Sequence, residues 1–72
     1  MSANDILFVR EKDKKFVITM NDADTGDVMM SDFPKFDNLI ECIKYANEYA
    51  DGKHRDDLND FYPVEYGVRV IL

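Results

Sequence analysis

ILFVREKDKKFVITM, residues 6–20, decides the fold of this chain. The stretch holds two apolar runs, residues 6–9 and 16–20, separated by a short charged segment. Both runs are rich in β-branched and aromatic residues, which favour strands, and the charged segment suits a tight turn. The pattern therefore predicts a β-hairpin. Its first strand is expected to be central in a sheet, because that run is apolar on both faces.

The third predicted strand is Val28-Met29-Met30, which is reached through an acidic loop. Gly26 supplies the positive φ that such a turn usually needs. Pro34 ends this run of strands, because proline has no backbone N–H to donate to a ladder.

Residues 38–50 change from a period of two to the three- and four-residue spacing of a helix. Asp37 or Asn38 suits the N-cap; with Asn38 as the cap, Glu41 stands at the third helical position, and Gly52 suits the position just past the C-terminal end. The apolar stripe of this helix consists of Leu39, Cys42, Ile43, Ala46, Tyr49 and Ala50.

The last strand is predicted at residues 64–72, where apolar and other residues alternate. Elements in the order β-β-β-α-β predict an α+β fold, a two-layer sandwich in which one helix covers one face of a mostly antiparallel four-stranded sheet. We expect a single domain over residues 1–72. The last strand is expected beside the first and parallel to it, in the order 3-2-1-4; the alternative places it beside the third. The face under the helix should consist of Ile6, Phe8, Phe16, Ile18, Val68, Val70 and Leu72.

The other face of this sheet is predicted to be unusually apolar for a face in water. Exposed apolar patches of this kind mark interfaces, and an isologous homodimer is the simplest cover. Alternatively, the loop of residues 53–63, which carries Leu58, Phe61 and Tyr62, folds over it. The residues assigned to this dimer face are Leu7, Val9, Val17, Thr19, Met29 and Ile71.

The charge of the chain narrows the class of partner. The net charge is −6, and residues 21–65 hold twelve acidic side chains against four basic ones. Nucleic acids and anionic membranes attract clustered lysine and arginine, so we expect neither as a direct partner. We expect instead a protein partner, and a basic one if the acidity is functional.

The cysteine count and the lengths of the apolar runs limit the class of protein and its compartment. The one cysteine excludes a disulfide scaffold and suits a reducing compartment. The first residues lack the pattern of a signal peptide, and no stretch approaches the roughly 20 apolar residues of a membrane span. The sequence therefore predicts a cytoplasmic protein.

The most acidic stretch is NDADTGDVMMSD, residues 21–32. A calcium loop of the EF-hand type needs ligands at alternate positions, glycine at the sixth and glutamate at the twelfth, and neither register anchored on Gly26 or Asp22 meets this pattern. A looser cation site of Asp22, Asp24 and Asp27 remains an alternative. An acidic hairpin turn explains the same residues without a ligand.

Candidates for catalysis are few. His54 lies near Asp56 and Asp57 and could share a metal or a proton with them, but it also fits a solvated position after a helix. Cys42 falls on the helix stripe, where a cysteine usually acts as a small buried hydrophobe. We therefore predict no enzyme activity, no cofactor and no metal.

The functional hypothesis is a small acidic, non-catalytic protein-interaction module, such as a phage-type inhibitor or modulator of a basic, nucleic-acid-binding protein. Its carboxylates would stand where the partner expects phosphates. The alternatives are a structural homodimer whose acidity serves only solubility, and the weak cation-binding domain named above. The predicted partner-binding residues are Asp22, Asp24, Asp27, Asp32, Asp56, Asp57, Asp60, Tyr62 and Glu65.

Overall fold

The computed structural model describes residues 4–54 and 64–72. These residues form an α+β domain whose four-stranded sheet has the order β3-β2-β1-β4. The predicted fold class and strand order are confirmed, including the parallel pairing of the last strand with the first. The elements are β1 (Asp5–Lys12), β2 (Lys15–Asp22), β3 (Val28–Met30), α1 (Leu39–Ala50) and β4 (Val68–Ile71).

The hairpin of β1 and β2 closes through two residues, Asp13 and Lys14, with φ angles of 54° and 65°. Two consecutive positive φ angles are the pattern of a type I′ turn, whose twist matches that of the strands on either side. Both strands extend further into the charged segment than the apolar runs indicated. The register of the pair places Val9 opposite Ile18.

The prediction of which side chains β1 turns towards the helix was wrong. Leu7 and Val9 are fully buried in the core beneath α1, together with Ile18. Ile6 and Phe8 alternate with them and therefore lie on the opposite face. All four residues of this run are apolar, so the sequence pattern does not indicate which alternate pair faces the helix. The pairing with Ile18 fixes the phase instead, because a shift of one residue turns a whole strand over.

The last strand is shorter than predicted. β4 covers four residues, and it is preceded by a turn at Glu65 and Tyr66 and by Gly67, whose φ is 69°. Val64 is buried in the core, and its N–H donates to the carbonyl of Ala50 at 3.3 Å. Val68 packs against the core as predicted. Leu72, which was predicted to lie under the helix, is 76% exposed.

The caps of α1 follow the prediction. The Asn38 side chain accepts hydrogen bonds from the N–H groups of Ile40 and Glu41, at 2.8 and 3.2 Å. At the other end, Gly52 has a φ of 100° and donates to Tyr49, while Lys53 donates to Glu48. These two bonds form a Schellman motif, which satisfies carbonyls that a helix end leaves open.

The core lies between α1 and one face of the sheet, which we call the helix face. Two aromatic pairs, Phe33 with Tyr49 at 4.9 Å and Phe36 with Tyr45 at 5.5 Å between ring centroids, pack at its edge. We call the opposite side of the sheet the outer face. Among the described residues, the outer face carries Ile6, Phe8, Arg10, Val17, Thr19, Arg69 and Ile71.

Candidate interaction surface on the outer face

Acidic residues from two distant parts of the chain meet at the end of the sheet where β1 begins. Asp22, at the end of β2, lies opposite Asp5 in the strand register. The N–H of Glu65 donates to the Asp5 carboxylate at 3.2 Å, and the N–H of Tyr66 donates to the Asp5 carbonyl at 3.1 Å. The acidic loop after β2 and the turn before β4 therefore flank one strand end.

The acidic loop is held by the carboxylate of Asp22. One of its oxygens accepts hydrogen bonds from the N–H groups of Asp24 and Thr25, at 2.8 and 3.0 Å. These two bonds lower the pKa of Asp22 below its ordinary value. The Asp22 carbonyl also accepts from the N–H of Gly26 at 2.8 Å. Asp22 is therefore a structural residue of the turn, because its carboxylate stabilises the backbone of the loop.

A buried amide supports this loop from below. Asn21 is only 2% exposed, and its side-chain nitrogen donates to the carbonyl of Gly26 at 3.0 Å. Its side-chain oxygen accepts from the hydroxyl of Thr19 at 2.7 Å. The Asn4 side chain also hydrogen-bonds the Asp24 carboxylate. With its backbone tied at several points, the loop presents Asp24 in a defined position.

A shallow groove of about 360 Å³ lies between the acidic loop and the turn before β4. It combines two carboxylates with an exposed aromatic ring, that of Tyr66, which is 55% exposed. Such a groove can take a long cationic side chain, with the alkyl stem against the rings and the charge beside the carboxylates. We call it the acidic groove. Its lining consists of Ile6, Phe8, Asp22, Ala23, Asp24, Gly26, Tyr66 and Arg69.

A second groove, of about 440 Å³, lies at the other end of the outer face. Three of its side chains are cationic and one is acidic, so its charge is opposite to that of the acidic groove. Sequence reasoning missed this site, although Arg10 and Lys12 stand at alternate positions of a strand and therefore share a face. We call it the cationic groove. Its lining consists of Arg10, Glu11, Lys12, Val17, Thr19, Ser31 and Lys35.

The predicted partner-binding residues are only partly brought together. Asp22 and Asp24 line the acidic groove, and Glu65 lies at the same end of the sheet. Asp27 and Asp32 are exposed but line neither groove. The remaining members, Asp56, Asp57, Asp60 and Tyr62, lie outside the described residues.

The observed orientation of β1 removes two residues from the predicted dimer face. Leu7 and Val9 belong to the core and cannot contact a second molecule. Val17 and Ile71 both lie beside Arg10 in the strand registers, so they share the outer face. Met29 is 57% exposed, but it falls at a shift in the pairing of β2 with β3, where the register gives it no cross-strand partner. Of the loop of residues 53–63, the alternative cover, residues 55–63 lie outside the described residues.

His54 and Cys42, the two candidates for reactive chemistry, both occupy structural positions. The His54 ring stacks on Tyr45 with 4.3 Å between ring centroids, and its Nε2 lies 2.8 Å from Glu48 Oε1. This contact lowers the pKa of Glu48. Cys42 is buried as predicted, and burial raises the pKa of its thiol, which disfavours the nucleophilic thiolate.

The geometry gives the cation-site alternative no support. A carboxylate whose oxygen already accepts two backbone hydrogen bonds, as in Asp22, has less capacity left for an ion. Across residues 4–54 and 64–72, no group of three or more histidine, cysteine or acidic side chains is arranged to hold a metal.

Comparison with known proteins gives no family for the chain: no family model matches it, and neither a curated protein nor a solved structure is significantly similar. In the part of the chain that the structure describes, no helix combines the length and the apolar character needed to cross a membrane.

Proposed function

We propose that this protein is a non-catalytic interaction module that binds a basic protein partner through the acidic groove. The observation that carries the proposal is the fixed position of carboxylates beside exposed aromatic surface. Asp24 is held by Asn4, and the loop around it is hydrogen-bonded to Asn4, just before β1, and to Asn21 of β2, so little conformational entropy is lost when a partner binds. Tyr66 adds contact area at the edge of the same groove.

The chemistry of the groove favours arginine or lysine on the partner. A guanidinium can stack on Tyr66 while it hydrogen-bonds Asp24. The chain has one cation–aromatic contact of its own: the Arg10 guanidinium lies 5.1 Å from the ring centroid of Phe8. Proteins that bind nucleic acids present such side chains in clusters. We therefore extend the proposal to an inhibitor or modulator of a nucleic-acid-binding protein, whose basic surface the carboxylates would occupy.

The proposal is tested by affinity capture with two charge-matched baits. Asp22 is left unchanged, because a lysine there would remove the oxygen that accepts the hydrogen bonds of the loop. The test bait carries Asp24→Lys; the control bait carries Glu41→Lys, which changes the net charge equally but lies on α1. Far-ultraviolet circular dichroism checks that both fold.

We expect the wild type and the control bait to retain a basic protein that the test bait loses. This protein should also leave the wild-type bait as salt rises, since exposed charges are screened beyond a Debye length of about 8 Å at physiological ionic strength. Equal capture by the test and control baits would contradict the proposed site. Capture that is unaffected by salt would contradict a charge-driven partner.

A further inference from the structure

The outer face has opposite charges at its two ends. The acidic groove carries Asp22 and Asp24 against Arg69, whereas the cationic groove carries Arg10, Lys12 and Lys35 against Glu11. The sign of the surface therefore reverses along the direction of β1.

The two ends are too far apart to neutralise each other within one molecule. Asp22 lies opposite Asp5, and Arg10 stands five residues further along β1, so at about 3.3 Å per residue their backbones are roughly 16 Å apart. This separation exceeds the Debye length of about 8 Å in physiological salt. Each groove is therefore left with its own unbalanced charge.

Apolar side chains connect the two grooves. Phe8 reaches the acidic groove and Val17 lines the cationic groove, and both are half-buried. Ile71, beside Arg10 in the register of β4, is 41% exposed. The outer face thus keeps partly exposed apolar side chains among its charged ones, with Arg10 between Val17 and Ile71 in the registers.

We propose that the outer face binds a second copy of this chain in an isologous dimer. The two-fold axis lies in the interface and runs perpendicular to the strands, so that the acidic groove of each copy covers the cationic groove of the other. Under this rotation the surface is complementary to itself in charge, and its partly exposed apolar side chains are removed from water. A rotation about an axis along the strands would instead place like charges together.

This inference stands without the proposed function, because it concerns the protein alone. If both hold, the second copy and the basic partner compete for the acidic groove. The cationic side chains of the second copy then occupy the place that the partner's side chains would take, and a partner must separate the dimer to bind.

The first test is sedimentation equilibrium of the wild-type protein over a dilution series from high to low micromolar concentration. We expect the average mass to rise towards the dimer mass as the protein concentration increases. The affinity of the dimer should fall in high salt. A mass that stays at the monomer value throughout would overturn the inference. In that outcome, cover of the outer face by residues 55–63 of the same chain becomes the better explanation.

The second test exchanges charges between the two ends. One variant carries Arg10→Glu and Lys12→Glu, and the other carries Asp24→Lys, which leaves the acidic groove with more basic than acidic side chains. Each variant alone places like charges at both contacts, so we expect its self-association to weaken by about tenfold or more. In a mixture both contacts regain opposite charges, and a heterodimer should form with affinity near that of the wild type.

This rescue separates the inference from loss of folding, since two misfolded chains would not restore a dimer. As a control, Lys44→Glu on the exposed side of α1 should leave self-association unchanged. If the two charge-exchanged variants do not associate when mixed, or if each self-associates as well as the wild type, the antiparallel arrangement is wrong.

Discussion

The two faces of the sheet are built from similar side chains but have different surroundings. On β1, Leu7 and Val9 lie under α1 with no exposed surface, whereas Ile6 and Phe8 on the outer face are only half-buried. The helix face gains its stability from burial against Cys42 and Ala46. The outer face retains apolar surface and charged ends.

The comparison teaches that apolar character alone does not identify a core. The helix face has apolar partners across both β2 and α1, whereas on the outer face charged side chains interrupt the apolar ones. Arg10 over Phe8 and Arg69 beside it in the strand register are examples. Stability should therefore depend mainly on one face, and association on the other.

The largest expected effect comes from the helix face. Leu7→Ala should lower the free energy of unfolding by about 3 kcal/mol, because it removes a fully buried side chain and leaves a cavity. A closer comparison uses one substitution on both faces: Val9→Ala should destabilise clearly more than Val17→Ala. Urea denaturation at low micromolar protein concentration measures both. Equal losses for the two valines would contradict the assigned phase of β1.

Removing the helix cap should have an intermediate effect. Asn38→Ala deletes the acceptor for two N–H groups at the start of α1 and should cost about 1 kcal/mol of stability. Thermal unfolding checks this, with Asn47→Ala in the exposed middle of the same helix as the control, which should be neutral or slightly stabilising. Because the cap is remote from the outer face, Asn38→Ala should still capture the basic partner below its unfolding temperature. Loss of capture by the folded variant would show that the two faces are not independent.

A comparable effect is expected in the acidic loop. Gly26 has a φ of 81°, and a Cβ added there would meet no atom within 4 Å. The whole cost of Gly26→Ala therefore comes from the left-handed backbone and should be about 1 kcal/mol. Gly26→Asn should cost less, since asparagine tolerates this conformation better. Chemical denaturation distinguishes them, and an alanine variant as stable as the wild type would argue against this loop conformation.

The smallest effect concerns pH. Two backbone hydrogen bonds hold the pKa of Asp22 below its ordinary value of 3.8, so the unfolded chain binds the proton more readily. The stabilisation is therefore present above this value and is lost as the pH falls through the lower pKa of the folded state. Asp22→Asn keeps an acceptor for the turn but does not titrate, so it should lose less stability than the wild type in acid.

The measurement is thermal unfolding at a series of acidic pH values. Asp27→Asn is the control, because the Asp27 carboxylate takes no part in holding the turn, and its acid unfolding should follow that of the wild type. Parallel curves for the wild type and Asp22→Asn would show that the Asp22 carboxylate does not hold the loop.

The sequence predicted the elements well because their ends carry specific chemistry. Asn38 and Gly52 delimit α1, and Gly26 occupies a turn that needs a positive φ. Periodicity could not assign the faces of β1, because four successive apolar residues fit either phase. This phase depends on the pairing with Ile18, which is a long-range contact.

The site was predicted less completely than the fold. The acidic loop was identified from its composition, but the role of Asp22 in holding the turn depends on backbone geometry. The proximity of Glu65 to this loop depends on the parallel pairing of β4 with β1. The cationic groove was missed because it combines Arg10 and Lys12 of β1 with Lys35, which follows β3, and this arrangement depends on the pairing of the strands.

The central claim is that the outer face of the monomer is available for binding while the helix face is not. Methyl NMR with a soluble paramagnetic probe, recorded over a dilution series, tests it most directly. We expect the methyl signals of Leu7 and Val9 to be protected at every concentration. Those of Ile6, Val17 and Ile71 should broaden in the dilute protein and become protected as the concentration rises. Protection of Val17 and Ile71 even at the lowest concentration, or broadening of Leu7, would contradict the claim.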